Sequence, residues 1–332
     1  MIHISSRRLG DILSLSSRKR IMVIGDLMLD RYLWGQVTRI SPEAPVPIIN
    51  IEDDEVRFGG AANVANNIVG LGAEPVLVGT IGDDNGGEIF RRLLAEKKLT
   101  AAGLIVDSSR PTTIKTRIIG NDQQIARVDR EKTHSISTEV QDRILQQVRD
   151  LIVDVDAIIL QDYNKGMMLP GLIKGIVEIA GKADTIVTVD PKFDHFLEYR
   201  GVTLFKPNRK ETEEALVMRL DSDEAVCEAG SLLLKELSAK AVLITLSERG
   251  VALFERDEEP VFTHTRARKV ADVSGAGDTV IAAVTVALAA GASFKEAVSM
   301  ANYAAGVVCG EVGVVPITRA HLMSAFEQNT GD

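Results

Sequence analysis

Cysteine is almost missing from this sequence: only Cys227 and Cys309 occur. They stand far apart, each in a stretch of helical periodicity, so neither a disulfide framework nor a CxxC metal knuckle is available. Both read as buried, reduced core thiols. The five histidines keep no HExxH or related spacing, which argues against a zinc site. Positive charge is also short, with Lys+Arg 38 against Asp+Glu 47 and a net charge of -9. That balance argues against nucleic acid as a partner, because binding an extended phosphate backbone needs a basic face. A small anionic substrate is still allowed, since a few local Lys and Arg can serve it. Long apolar runs are missing as well. The longest, Val280 to Ala290, falls well short of the roughly 20 residues that span a bilayer. Met1 to Arg20 has no apolar stretch of signal-peptide length, so it is expected to stay on a cytoplasmic protein as a helical or frayed lead-in. No GxGxxG follows the first strand and no GxxxxGK[ST] occurs anywhere, which disfavours an oxidoreductase and a Walker-type ATPase.

What is present suits a globular chain. The 332 residues are 45% hydrophobic and 26% charged, enough for a core that folds unaided as one large α/β domain or two small ones. Short β-branched runs (Arg20–Gly25, Val76–Gly79, Asp156–Gln161, Thr185–Asp190, Val202–Phe205, Ala241–Thr245) alternate with amphipathic stretches. Those stretches (Ala61–Leu71, Ile89–Lys97, Thr138–Ile152, Leu169–Ala180, Asp223–Leu237, Asp278–Ala290, Phe294–Cys309) repeat apolar residues at i, i+3 and i+4. The alternation predicts an α/β fold with a doubly wound, mostly parallel sheet. Two segments, about 32–58 and 110–130, break the rhythm. The first carries Pro42, Pro45 and Pro47 and the β-like run Val46–Ile51; the second reads as a hairpin, Thr112–Ile119 and Gln124–Asp129, turning at Gly120-Asn121-Asp122. Both are expected to form a small β lid over the C-terminal edge of the sheet, where open α/β sheets bind ligands. No repeat or linker divides the chain, so 1–332 reads as a single domain.

Three motifs carry chemistry. Asp272-Val-Ser-Gly275-Ala276-Gly277-Asp278-Thr279 precedes an apolar helix, and small residues there let backbone amides gather at the helix N-terminus, where an anion is favoured. A phosphoryl group in transfer is such an anion, and Asp278 beside it is placed as a general base. The plain alternative is a Gly-rich turn with an Asp cap. Gly59-Gly60-Ala61-Ala62-Asn63 permits close backbone approach, and Asn63 offers a donor and an acceptor for sugar hydroxyls; a tight strand-to-helix turn is the plain alternative. Gly25-Asp26-Leu-Met-Leu-Asp30 brings two carboxylates to the edge of the sheet, with Asp30 the choice for a substrate ligand.

Together these motifs resemble the ribokinase-like (PfkB) carbohydrate kinases over roughly residues 20 to 325. The resemblance implies a ribokinase-like fold, ATP and Mg2+ as cofactors, Asp278 as catalytic base and Gly275, Ala276 and Gly277 as anion hole. It further implies Asp30, Gly59, Gly60 and Asn63 on the sugar. Lys206-Pro-Asn208-Arg-Lys-Glu211 looks like the family's NxxE element, so Asn208 and Glu211 would organise the metal through water. Thr245 to Gly250 resembles the nucleotide-binding turn, with Ser247 where the family usually has Gly, and Asn302 falls at the adenine pocket. A monovalent cation near Asp272 stays open, with Gly310 to Pro316 as a candidate loop.

Longer stretches bear on the sugar. Asp26-Leu-Met-Leu-Asp30-Arg-Tyr, Arg39-Ile-Ser-Pro-Glu43-Ala-Pro-Val-Pro47, Asp162-Tyr-Asn-Lys165-Gly166 and Asp190-Pro-Lys192 are similar to the heptose 7-phosphate kinase branch. That branch makes heptose 1,7-bisphosphate for ADP-heptose and the lipopolysaccharide inner core, and its bifunctional members add a nucleotidyltransferase domain. The chain ends at Asp332 without one and so reads as the stand-alone kinase. A 7-phosphate needs cations at the far end of the pocket, and Arg117, Arg127 and Lys165 are the candidates, though each could be a solvated surface charge. Exposed lid strands are expected to pair in a homodimer. A kinase for ribose or fructose 6-phosphate, or a non-catalytic sugar or nucleotide sensor, are the competing readings.

Overall fold

In chain order, helix α1 (Ser6–Ser16) leads into strand β1 (Arg20–Gly25), followed by the long hairpin β2 (Leu27–Ile40) and β3 (Pro47–Gly60). Helix α2 (Ala61–Gly70), β4 (Glu74–Ile81), α3 (Asn85–Glu96) and β5 (Leu104–Val106) come next, then a second hairpin, β6 (Thr113–Gly120) and β7 (Gln123–Arg130). The middle of the chain holds α4 (Thr138–Leu151), β8 (Ala157–Gln161), α5 (Pro170–Lys182), β9 (Ile186–Asp190), β10 (Leu204–Phe205), α6 (Arg209–Leu216) and α7 (Asp223–Leu237). Strands β11 (Ala241–Thr245), β12 (Val251–Glu255) and β13 (Val261–Thr263) precede α8 (Ala276–Ala289), α9 (Phe294–Val308) and α10 (Arg319–Thr330). This computed structural model describes residues 4–265, 273, 275–311, 313 and 315–330.

The large sheet has the order β13-β12-β11-β10-β9-β8-β1-β4-β5. It is parallel except at β12, which runs antiparallel to both its neighbours. In β1, Ile21, Met22, Val23 and Ile24 are all fully buried, as a strand covered on both faces requires. Alternate side chains take opposite faces: Ile21 and Val23 join a cluster with α1, α2, α8, α9 and α10, while Met22 and Ile24 join one with α4, α5 and α7. Each such side chain contributes roughly 1.5–3 kcal/mol. Helix starts follow side-chain chemistry. Ser5, Asp84, Ser137, Ser222 and Ser293 each accept a backbone N–H of the first turn, and Pro170 opens α5.

The second sheet, β3-β2-β6-β7, draws on both segments that broke the α/β rhythm. β6 and β7 are joined by Asn121-Asp122, with φ of 51 and 63, the left-handed pair that a two-residue hairpin turn of matching twist demands. The first hairpin is longer than expected. Only Pro42 and Pro45 lie in its turn, and β2 begins directly after Asp26. Strands β5, β12 and β13 and helices α6 and α10 have no counterpart among the expected elements.

The cysteines depart from expectation. Both are half-buried rather than enclosed. The buried line of α7 runs through Val226, Ala229, Gly230, Leu233 and Leu237, which puts Cys227 on the flank, and Cys309 follows the last residue of α9.

Candidate active site

The ends of the parallel strands deliver the polar residues. Asp26 follows β1, Gln161 and Asp162 close β8, Asp190 ends β9 and Lys206 follows β10. Facing them is the first turn of α8. Gly275 caps it with φ 80, and Asp278 is 8% exposed in its first turn. Asp278 Oδ1 accepts from the Tyr163 hydroxyl at 2.6 Å and Oδ2 from Asn63 Nδ2 at 2.7 Å; Gln161 Nε2 stands 3.4 Å from Oδ1. Burial raises the carboxyl to about 6, against the pull of the Tyr163 and Asn63 hydrogen bonds; Asp190 adds to the rise and Lys206 opposes it. An acceptor at that level is ionised at neutral pH and suited to general-base work.

Of the three backbone amides expected to gather there, that of Ala276 donates to Val273 O at 3.2 Å and so closes the turn itself. Gly277 faces the charged pair of the site. A Cβ at that position would stand 3.8 Å from both Asp190 Oδ2 and Lys206 Nζ, and Lys206 pairs with Asp190 at 3.0 Å. Asp272 lies outside the described residues, as do 312 and 314 of the candidate cation loop.

Asn63, expected on the sugar, turns its amide to Asp278, because the first turns of α2 and α8 abut. Thr279 Oγ1 donates to Asn67 Oδ1 one turn further along. The glycine pair has a steric reason of its own. A Cβ on Gly59 would lie 2.4 Å from Asp30 Oδ2, and Gly60, with φ 56, would put one 2.6 Å from Asp26 O. Asp30 receives Arg117 Nη1 at 2.5 Å. Asp26 points inward instead: its Oδ2 accepts the backbone N–H of Tyr163 at 2.9 Å and of Lys165 at 3.3 Å.

Each cation expected at the far end has an acidic partner. Arg117 pairs with Asp30, Arg127 with Asp129 at 3.0 Å and Lys165 with Glu131 at 2.8 Å. Arg117 and Arg127 are register neighbours on β6 and β7, so they share a face of the small sheet. On that face the guanidiniums of Arg57 and Arg117 each lie 5.3 Å from the centre of the Tyr32 ring.

The nucleotide-side residues form two groups. Asn208 and Glu211 make a capping box at the start of α6, and the other Glu211 oxygen pairs with Lys192. Asn208 bridges to Thr245 at the ends of β10 and β11. Gly250, with φ 90, backs onto Thr263 O, and Asn302 Nδ2 donates to His264 O at 2.7 Å. Asn302 therefore holds the chain just before residue 266, and the missing side chain of Gly250 leaves room for it to pass.

Sequence reasoning passed over Tyr163, Gln161, Asp190, Lys192 and Lys206 as site residues. Each stands at, or within two residues of, the end of a parallel strand, which was the available signal.

Known proteins resemble this chain over most of its length. The profile described as "pfkB family carbohydrate kinase" matches residues 18–319. Bifunctional protein HldE of Geobacter sulfurreducens is 41% identical over 313 residues, which are 94% of this chain and 64% of that protein. Bifunctional protein HldE of Helicobacter pylori is 42% identical over 295 residues, 89% of this chain and 64% of that protein. The chain thus spans 64% of the length of these curated relatives. Among solved structures, ribokinase of Arabidopsis thaliana complexed with ribose and ATP superposes with a TM-score of 0.72 at 21% identity, covering 93% of this chain and 99% of that one. Phosphofructokinase-2 of Escherichia coli in complex with potassium gives 0.77 at 18% identity, over 94% and 99%. These two likenesses show the ribokinase-like fold.

Proposed function

The chain belongs to the pfkB family of carbohydrate kinases, and on that premise we propose that it transfers the γ-phosphoryl group of ATP to the anomeric hydroxyl of D-glycero-D-manno-heptose 7-phosphate. The observation that carries the chemistry is Asp278. It is buried at a helix N-terminus with both carboxylate oxygens held, and its proton affinity leaves it an ionised acceptor at neutral pH. In this reading Asp278 takes the proton of the attacking hydroxyl. The amides of this turn other than that of Ala276, with Lys206 behind Gly277, offset the charge of the phosphoryl group in transfer. Asp30 orients the sugar, and the small sheet acts as a lid that excludes water.

The heptose assignment rests on the stretches from Asp26 to Tyr32, Arg39 to Pro47, Asp162 to Gly166 and Asp190 to Lys192. The relatives named HldE are consistent with that branch. Arg117, Arg127 and Lys165 would release their carboxylate partners to meet the 7-phosphate, so each binding contact exchanges one anion for another. Magnesium would be held through water by Asn208 and Glu211, where it neutralises charge on the nucleotide phosphates. Asn208 and Glu211 offer side-chain oxygens of the kind that a hydrated magnesium ion meets through its waters, at the start of α6 beside Lys192. The proposal extends to a cytoplasmic setting, where ATP is at hand, and to a homodimer through the lid.

A coupled ADP-release assay tests the proposal with Mg-ATP against the heptose 7-phosphate, free heptose, ribose and fructose 6-phosphate, repeated with Asp278→Asn. Turnover of the heptose phosphate is expected, with the variant slower by about 10²–10⁴-fold. Turnover of a different sugar would keep the kinase and discard the substrate. No turnover of any would favour a sensor.

A further inference from the structure

We infer that Tyr163 is the positioning residue of the proposed base, its phenol holding the Asp278 carboxylate in one orientation and in its ionised form. The inference rests on the reading of Asp278 as base. With Tyr163 on Oδ1 and Asn63 on Oδ2, rotation of the carboxylate would break at least one bond. Asn63 comes from the helix adjoining α8, whereas Tyr163 comes from a turn built separately.

That turn is held by ionisable side chains of a kind normally kept out of protein interiors. Asp26 Oδ2 accepts the N–H of Tyr163 and of Lys165, and Asp162 Oδ1 accepts the N–H of Asn164 at 2.8 Å. Asp162 Oδ2 in turn receives the buried Tyr199 hydroxyl at 2.8 Å, and Arg110 Nη1 donates to Lys165 O at 2.8 Å. Asp26, Asp162 and Arg110 are each at least nine-tenths buried. Asn164 and Gly166 take φ of 53 and 82, which folds the backbone back on itself. Burying three ionisable side chains is costly unless they fix something. Here they fix a turn whose Tyr163 side chain reaches Asp278. An aromatic residue serving only to fill the core needs neither the hydroxyl contact nor this scaffold.

Among the described residues, the charged groups around Asp278 are Asp190 at the end of β9, Lys206 after β10 and Lys192, whose ammonium lies 6.0 Å from the Tyr163 ring centre. Burial and the neighbouring Asp278 push the phenol well above its ordinary value, so it stays a donor across the working range. Removing it withdraws a stabiliser of the charged carboxylate, and the Asp278 proton affinity rises.

The test is Tyr163→Phe, with kcat and KM measured from pH 5 to 9 on whichever sugar the wild type turns over. The acid limb of kcat/KM is expected to move up by about one pH unit, the size set by losing one hydrogen bond to a charged acceptor. At pH 5, kcat should fall by about tenfold while both KM values change by less than about threefold. An unmoved acid limb, in a protein that Asp278→Asn inactivates, overturns the inference and leaves the base reading standing. Activity retained by Asp278→Asn overturns both. If Phe disturbs folding, fluorotyrosines at position 163 keep the shape and vary the acidity of the hydroxyl. The acid limb should then move down as the phenol becomes the stronger donor, and a limb that ignores the series refutes the role.

Discussion

Asp278 and Asp26 are both buried carboxylates, yet their settings separate them. Burial and the charge of Asp162 push Asp26 up to about 7, against two backbone hydrogen bonds and the charge of Arg110. Burial takes Asp278 to about 6. Both groups bind protons more tightly in the folded chain than in the unfolded one. Between about pH 4 and 7 the native state therefore holds more protons, and stability falls as pH rises through that window. Asp26→Asn removes one of the titrations while keeping an oxygen for the two N–H groups. Its melting temperature should vary less over that window than the wild type's, with a relative gain on the order of 1 kcal/mol at pH 8. Parallel melting curves would rule out titration at Asp26. What sequence could show at this scale was local. Gly277-Asp278 and Gly60 to Asn63 sit within single turns, whereas Tyr163 meets Asp278 across 115 positions and is invisible to spacing.

Elements divide in the same way. The buried parallel strands and the amphipathic helices were legible because their periodicity is written in consecutive residues, as at Ala241–Thr245 and Asp223–Leu237, where both ends agree. Strands β12 and β13 were not. β13 is 3 residues long, too short for a period to establish itself, and β12 follows β11 antiparallel with no α-helix between them, outside the strand–helix alternation. The second hairpin was readable from its turn. Asn121 there adopts φ 51 and its Oδ1 accepts the N–H of Val37 at 3.1 Å, tying the turn to β2. Asn121→Ala loses that bond and strains the left-handed backbone. Denaturant unfolding should show a loss of about 1–2 kcal/mol. A loss below about 0.3 kcal/mol would mean the turn is not tied there.

For the whole molecule, the small sheet matters most. Its strands expose Ile40, Ile51, Ile125 and Val128, and β3 and β7 are its open edges. Such a surface is a liability that pairing removes. Light scattering at micromolar concentration should give twice the chain mass, and Ile125→Lys with Val128→Lys should halve it; a wild-type monomer would refute the dimer. How that sheet is fastened is settled by four chain crossings. Asp26 alone separates β1 from β2, nothing separates β3 from α2, and Ala61 N donates to Asp26 O at 3.1 Å, so two crossings are riveted together. The other two flank β6 and β7, and Arg110 joins them by donating to His134 O and Lys165 O. In the proposed lid role, opening would be a rotation about the line through these two junctions, and it would part Phe58 of β3 from Phe90 of α3, whose ring centres stand 4.9 Å apart.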